Sequence, residues 1–112
     1  MWIPVSNNIA PPYYAVIFTS IKHQVDEDYY QTFEELYALG SEIEGYLGWE
    51  DAKGEEVSIS ISYWKNMDAI NEWKNNLSHQ TAKRKAVAEW YKYYRMRICK
   101  VELDHQYQRN ED

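Results

Sequence analysis

Residues 57–64, VSISISYW, are the stretch of the sequence that decides the fold. Apolar and serine side chains alternate along it without a break, and in a β-strand successive side chains point to opposite faces of the sheet. The branched apolar residues and Tyr63 therefore share one face, while the three serines and Trp64 share the other. A face with three serines suits solvent, a seam between two subunits, or a cavity lined with hydroxyl groups.

Three further segments are predicted to be strands. All three are rich in β-branched or aromatic residues. One of them lies just before residues 57–64, and a short turn at Gly54 separates the two strands. The three segments are Tyr13–Ile21, Tyr46–Lys53 and, approximately, Tyr93–Glu102.

The connections between these strands have helical periodicity. Asp26 or Asp28 can cap a first helix, whose apolar residues recur at helical spacing: Tyr29, Phe33 and Leu36. Asn66 caps a second, short helix with an apolar inner stripe: Met67, Ile70 and Trp73. Ser78 is predicted to cap a separate third helix, which runs through Ala82 and Ala86 toward Trp90.

The predicted order is β-α-β-β-α(α)-β, the α+β ferredoxin-like pattern, with an antiparallel sheet and an extra helix before the last strand. We expect a domain over residues 13–103, preceded by an arm (residues 1–12) and followed by a polar tail (residues 104–112). Helices cover only one face of such a sheet and leave the other face exposed. A second copy of the chain packed on that face would bury it. The sequence therefore predicts a homodimer.

Composition narrows the function classes. The formal net charge of -6 argues against a general affinity for nucleic acid or an anionic membrane. Basic and aromatic residues interleave between Lys83 and Lys100, which fits either a single-strand nucleic-acid platform or an electropositive surface facing the acidic first half. The single cysteine, Cys99, excludes an intramolecular disulfide, and its apolar-rich surroundings predict a buried thiol. Without a leader-like N-terminus or a long apolar run, we expect a cytoplasmic protein.

Over residues 13–103 the chain resembles the antibiotic biosynthesis monooxygenase family. Three groups of residues carry the resemblance: Gly45-Tyr46-Leu47-Gly48-Trp49-Glu50; Ser62-Tyr63-Trp64-Lys65 with Ala69-Ile70 and Trp73-Lys74; and Ser78-His79 with Ala82, Trp90-Tyr91 and Tyr94. The resemblance implies a dimeric α+β barrel with a pocket in each subunit between sheet and helices. Characterised members of the family oxidise aromatic polyketides with O2 and no bound cofactor, and others in the superfamily bind and degrade haem.

The haem-degrading branch uses a strand Asn, a strand Trp and a helix His. Trp64 matches the Trp, but Tyr13–Ile21 contains no Asn, and Lys83 stands where the His is expected. Two of three markers are missing, which argues against that chemistry.

A cofactor-free oxygenase needs an aromatic pocket, a base and a hydrogen bond to the substrate anion. Trp64 and Trp73 are the predicted pocket walls. The predicted hydrogen-bond donors are Ser60, Ser62, Tyr63 and Tyr94. His79 is the predicted catalytic base, because the first turn of a helix favours a neutral imidazole. The opposing interpretation makes the tryptophans core residues and His79 a structural residue at a helix start.

No cluster with metal-ligand spacing and no phosphate-binding loop occurs in the sequence, so we expect no metal and no cofactor. The sequence predicts a cofactor-independent monooxygenase acting on a small aromatic or quinol-like compound. The alternative is a non-enzymatic homodimer of the same fold that binds a small molecule or is simply packed, and haem binding comes third.

Overall fold

The computed structural model of the chain describes residues 9–82 and 87–110, without the side chains of residues 78–82 and 87. Four strands and three helices follow one another along these ranges. They are β1 (Tyr13–Lys22), α1 (Glu27–Glu42), β2 (Tyr46–Lys53), β3 (Val57–Trp64), α2 (Met67–Ala82), α3 (Val87–Trp90) and β4 (Tyr91–Val101).

The strands form one antiparallel sheet in the order β2-β3-β1-β4. Strand β1 lies inside the sheet and pairs with β3 on one side and β4 on the other. The predicted α+β class, the antiparallel sheet and the helix before the last strand are confirmed. The last strand begins at Tyr91, two residues earlier than the sequence predicted, and ends at Val101.

The serine side of β3 faces the helices. Ser62 and Trp64 are buried there, and Val16, opposite Ser62 on β1, belongs to the same core. Ser58 and Ser60 lie farther along this face and line a cavity. Ser58 and Ser60 therefore have the cavity environment that the sequence allowed, whereas Ser62 is packed in the core.

Helix α1 begins at an Asp26 cap, one of the two caps that the sequence offered. The Tyr29 backbone N–H donates to Asp26 Oδ1 at 3.0 Å, which satisfies one of the unpaired donors of the first turn. The indole Nε1 of Trp90 donates to the same oxygen at 3.2 Å. One carboxylate thus caps α1 and ties the helix to the end of α3, just before β4.

Helix α2 corrects the sequence prediction at Ser78. Asn66 caps it as expected, since the Ala69 backbone N–H donates to Asn66 Oδ1 at 2.9 Å. The helix then continues through Ser78 to Ala82, so the predicted separate helix starting at Ser78 is wrong. Neither Gly nor Pro interrupts residues 74–78, and Leu77 extends the stripe that Trp73 packs into the core. Packing of that stripe outweighs the capping preference of an isolated serine.

The core lies between the sheet and helices α1 and α2. Its buried cluster is Val16, Ile43, Trp64, Ala69, Ile70 and Trp73. The indole rings of Trp64 and Trp73 pack with centroids 5.5 Å apart, and Tyr46 meets Trp64 edge-on at 5.4 Å. These aromatic contacts join β2, β3 and α2.

The opposite face of the sheet carries no helix in the described part of the chain. Val57, Ile59 and Tyr93 are each at least 40% exposed there. Cys99 also lies on this face and is exposed, which corrects the expectation of a buried thiol. The physical reason is strand alternation: Cys99 pairs with Ala15 and points away from the helices.

Gly45 connects α1 to β2 with a backbone that favours glycine. Its φ is +102°, and a Cβ at this position would lie 3.0 Å from the Ala69 Cβ. We expect Gly45→Ala to lower the free energy of unfolding by about 1–2 kcal/mol, through left-handed backbone strain. Urea denaturation measures it, with the exposed neighbour Glu44→Ala as a control that should stay within about 0.5 kcal/mol of wild type. Equal midpoints for both variants would contradict the prediction.

Candidate functional site

The first cavity lies between the sheet and the helices and has a volume of about 280 Å³. We call it the aromatic cavity, because rings form most of its wall. It is lined by Phe18, Thr32, Phe33, Leu36, Tyr37, Trp49, Trp73, Lys74, Leu77, Trp90, Tyr91, Tyr94 and Met96. Such an apolar cavity with few polar groups is typical of a small-molecule site.

The sheet forms the floor of this cavity because of its register. Phe18 on β1 pairs with Met96 on β4, so both side chains point toward the helices from neighbouring strands. Trp49 on β2 pairs with Ser62 and faces the same side. Tyr37 of α1 meets the Trp49 indole edge-on at 5.7 Å and closes that end.

Three rings form one wall of the cavity. The Phe18 ring stacks on Tyr94 at 5.6 Å and meets Tyr91 edge-on at 5.8 Å, while Tyr91 and Tyr94 lie 5.4 Å apart. Offset-stacked and edge-on pairs of this kind hold aromatic side chains in fixed orientations. A planar aromatic ligand would meet a preformed wall.

The hydroxyl group of Tyr91 is the unusual polar atom of the cavity. It is buried and makes no hydrogen bond of ordinary geometry with the described residues, although the Tyr29 hydroxyl lies close enough to act on it. Burial raises the pKa of Tyr91, and the Tyr29 phenol, whose ring lies 5.9 Å away, raises it further. Tyr91 is therefore a neutral phenol at physiological pH, and its O–H can donate either to the Tyr29 oxygen or to a ligand.

The structure brings some of the predicted site residues together and separates others. Trp73 and Tyr94 line the aromatic cavity. Trp64 and Ser62 lie buried in the core instead, where Trp64 Nε1 donates to Ser62 Oγ at 2.8 Å. Tyr63 is on the opposite face of the sheet, because it precedes Trp64 by one residue in a strand, and its hydroxyl donates to Glu50 at 2.6 Å.

The side chain of His79 lies outside the described residues. Residue 79 itself belongs to the last turn of α2 rather than to the first turn of a separate helix. The helix dipole therefore does not favour a neutral imidazole at this position, since it has the opposite sign at a helix C-terminus. The catalytic role of His79 stays a prediction.

A second cavity of about 360 Å³ adjoins the first, and we call it the polar cavity. Four residues line both: Phe18, Phe33, Tyr37 and Trp49. Its other lining residues are Ser20, Lys22, Tyr29, Tyr30, Glu34, Asp51, Lys53, Ser58 and Ser60. The two cavities are therefore neighbours, one lined mainly by apolar side chains and the other richer in polar ones.

Neither a metal centre nor a membrane-crossing helix is found in the part of the chain that the structure describes. No three His, Cys, Asp or Glu residues are grouped as metal ligands within residues 9–82 and 87–110. No described helix has the length and apolar character that crossing a membrane requires.

Comparison with known proteins gives one relative by sequence. No protein-family model matches the chain. It is 40% identical over 107 residues to the uncharacterised protein YqjZ of Bacillus subtilis, and the match covers 95% of this chain and 94% of YqjZ. The chain belongs to the YqjZ family.

Solved structures show the fold of this YqjZ family member. SnoaB from Streptomyces nogalater, a cofactor-independent oxygenase, superposes with a TM-score of 0.65 over 84% of this chain and 97% of its own, at 12% identity. A proposed antibiotic biosynthesis monooxygenase from Nitrosomonas europaea gives 0.64 over 90% and 95%, at 11% identity. The fold that the sequence resemblance implied, that of the antibiotic biosynthesis monooxygenases, is confirmed.

Several residues that line the aromatic cavity of this YqjZ family member were not predicted as site residues from its sequence. Tyr91 was noted only as part of a family motif beside Trp90, and Phe18 only as part of a strand. A signal for Phe18 was present, because it lies two residues after the core residue Val16 and so shares its face of the strand. For Tyr91 the signal was absent, since its burial depends on contacts with α1.

Proposed function

We propose that this YqjZ family member binds a small aromatic or quinol-like compound in the aromatic cavity and oxidises it with O2, without metal or flavin. The observation that carries the proposal is the buried Tyr91 hydroxyl in a wall of aromatic rings. The fold shared with SnoaB, a cofactor-independent oxygenase, supports the same reaction class.

The proposed reaction requires few catalytic groups from the protein. A base removes a proton from the ligand, and the resulting electron-rich anion reduces O2. One oxygen atom replaces two hydrogens on a ring carbon as a carbonyl group, and the other leaves as water. The Tyr91 phenol would donate to the ligand oxyanion, and a dry cavity would strengthen that hydrogen bond.

We assign the remaining roles among the predicted residues. Trp73 and Tyr94 would contact the ring of the ligand, as lining residues of the aromatic cavity. Trp64, with Ser62 hydrogen-bonded to it, would support Trp73 from the core. His79 remains the proposed base.

The enzyme proposal is tested by O2 uptake with anthrone as the probe substrate. We expect one O2 consumed per anthraquinone formed. Loss of the oxyanion donor in Tyr91→Phe should lower turnover about 100-fold, and loss of the base in His79→Ala by about 100-fold or more. The matched controls, Tyr107→Phe and His105→Ala in the exposed tail, should keep wild-type turnover and thermal midpoint. Wild-type turnover in both Tyr91→Phe and His79→Ala would refute these roles.

A binding function without catalysis is the second candidate, and a specific observation favours it. Apart from its tyrosines, the described lining of the aromatic cavity contains one ionisable residue, Lys74, which is exposed. The same experiment separates the candidates. Tight binding of anthrone by the wild-type protein without O2 uptake would establish binding alone.

A further inference from the structure

The polar cavity has no part in the reaction proposed above, although it borders the aromatic cavity. Four residues line both cavities: Phe18, Phe33, Tyr37 and Trp49. A ligand that occupies the aromatic cavity and extends past these side chains would place its attached group in the polar cavity. The lining of the polar cavity then indicates what that group is.

The sheet builds the floor of the polar cavity from two adjacent rows of side chains. Strand register places Lys53 opposite Ser58, and Ser58 opposite Ser20. The next row places Asp51 opposite Ser60, and Ser60 opposite Phe18. Three hydroxyl groups thus lie together at the centre of the floor, with a lysine and an aspartate at its edge on β2.

The two lysines of the polar cavity come together only through the fold. Lys22 and Lys53 are the only Lys or Arg residues among the first 62, and 31 positions separate them in the sequence. Both line the same cavity. The Lys22 ammonium lies 5.5 Å from the centre of the Tyr29 ring.

Positive and negative groups balance in this cavity. Lys22 and Lys53 face Glu34 and Asp51, so the formal charge of the lining is zero. An anionic group would be attracted by the lysines but repelled by the carboxylates. A cationic group would be attracted by the carboxylates but repelled by the lysines. Neither charge is favoured by the set as a whole.

Hydroxyl groups match all of these side chains at once. An ammonium group can only donate hydrogen bonds, a carboxylate can only accept them, and a serine hydroxyl does both. A ligand hydroxyl also donates and accepts, so a group bearing several hydroxyls satisfies donors and acceptors together. The rings of Tyr30 and Tyr37, which are 54% and 50% exposed, offer apolar surfaces at the rim against which a saturated ring can pack.

We propose that the polar cavity holds an uncharged, polyhydroxylated group, such as a sugar ring, attached to the aromatic part of the ligand. This inference rests on the proposed function, because the aromatic cavity must bind the rest of the molecule. It narrows the substrate class to polyhydroxylated or glycosylated aromatic compounds.

Calorimetric titration of the full chain with three probes tests the inference: naphthol, its β-glucoside and its phosphate ester. We expect the glucoside to bind about tenfold more tightly than naphthol, which corresponds to one or two added hydrogen bonds. Ser60→Ala and Asp51→Asn should each reduce this affinity ratio toward one. The matched controls, Ser41→Ala on α1 and Asp68→Asn on α2, lie outside both cavities and should keep the ratio.

The outcomes separate this inference from the proposed function. If naphthol binds but the glucoside binds no better, the sugar-type ligand is refuted while the aromatic site stands. If the phosphate ester binds more tightly than the glucoside, the lysines define an anion site and the inference is wrong. If none of the three binds, the aromatic site itself fails, and the inference falls with it.

Discussion

Replacing Trp64 by alanine is expected to lower the free energy of unfolding by about 3–5 kcal/mol. The side chain is fully buried at the end of β3 and contacts three neighbouring side chains. Its ring packs on Trp73 and Tyr46, and its Nε1 donates to Ser62 Oγ at 2.8 Å. The substitution would remove these contacts, leave a cavity and deprive the serine of its partner.

Urea denaturation followed by circular dichroism measures this loss. Trp49→Ala is the matched control, because Trp49 is only partly buried and lines both ligand cavities. We expect a smaller loss of stability from Trp49→Ala, together with weaker binding of naphthol. A Trp64→Ala protein as stable as Trp49→Ala would show that Trp64 is not the centre of the core.

The second large effect concerns assembly. We propose that two copies of the chain pack through the open face of the sheet, as the fold resemblance implies. Val57, Ile59 and Ile61 of β3 lie on this face, and exposed apolar patches of this kind mark interaction sites. Ile59→Lys would bury an ammonium group without a partner, so we expect the dimer to weaken by about 100-fold or more.

Native mass spectrometry at micromolar concentration distinguishes the two states. The wild-type protein should have the mass of two chains, and Ile59→Lys the mass of one. Met67→Lys is the matched control, because Met67 is comparably exposed but lies at the start of α2, on the helix side of the sheet. A monomeric wild-type protein, or a dimeric Ile59→Lys variant, would exclude this seam.

Much of the fold could be predicted from local patterns. The bounds of β2 and β3 agree with those expected from Tyr46–Lys53 and Val57–Trp64. The caps at Asp26 and Asn66 were also predicted correctly. These features are decided within a few residues, because side-chain alternation and side-chain-to-backbone capping act over that distance.

The candidate site was predicted less completely, because its residues meet across the sheet. Trp73 and Tyr94 line the aromatic cavity, but Tyr63 faces away from it and Trp64 is core. Tyr63 carries a hydroxyl group that could donate a hydrogen bond, but it points to the face of the sheet without helices. The sequence shows that Tyr63 and Trp64 lie on opposite faces, and only the register of the sheet shows which face the helices cover.

By itself, the sequence determined the order of strands and helices, the alternation along β3 and the caps of α1 and α2. The tertiary structure decided that α2 continues past Ser78, that the Tyr91 hydroxyl is buried, and that Lys22 and Lys53 share one cavity. The physical reason is the distance along the chain over which each interaction acts. Periodicity and capping depend on neighbours along the chain, whereas burial and the meeting of distant side chains depend on which strands pair and which helices cover them.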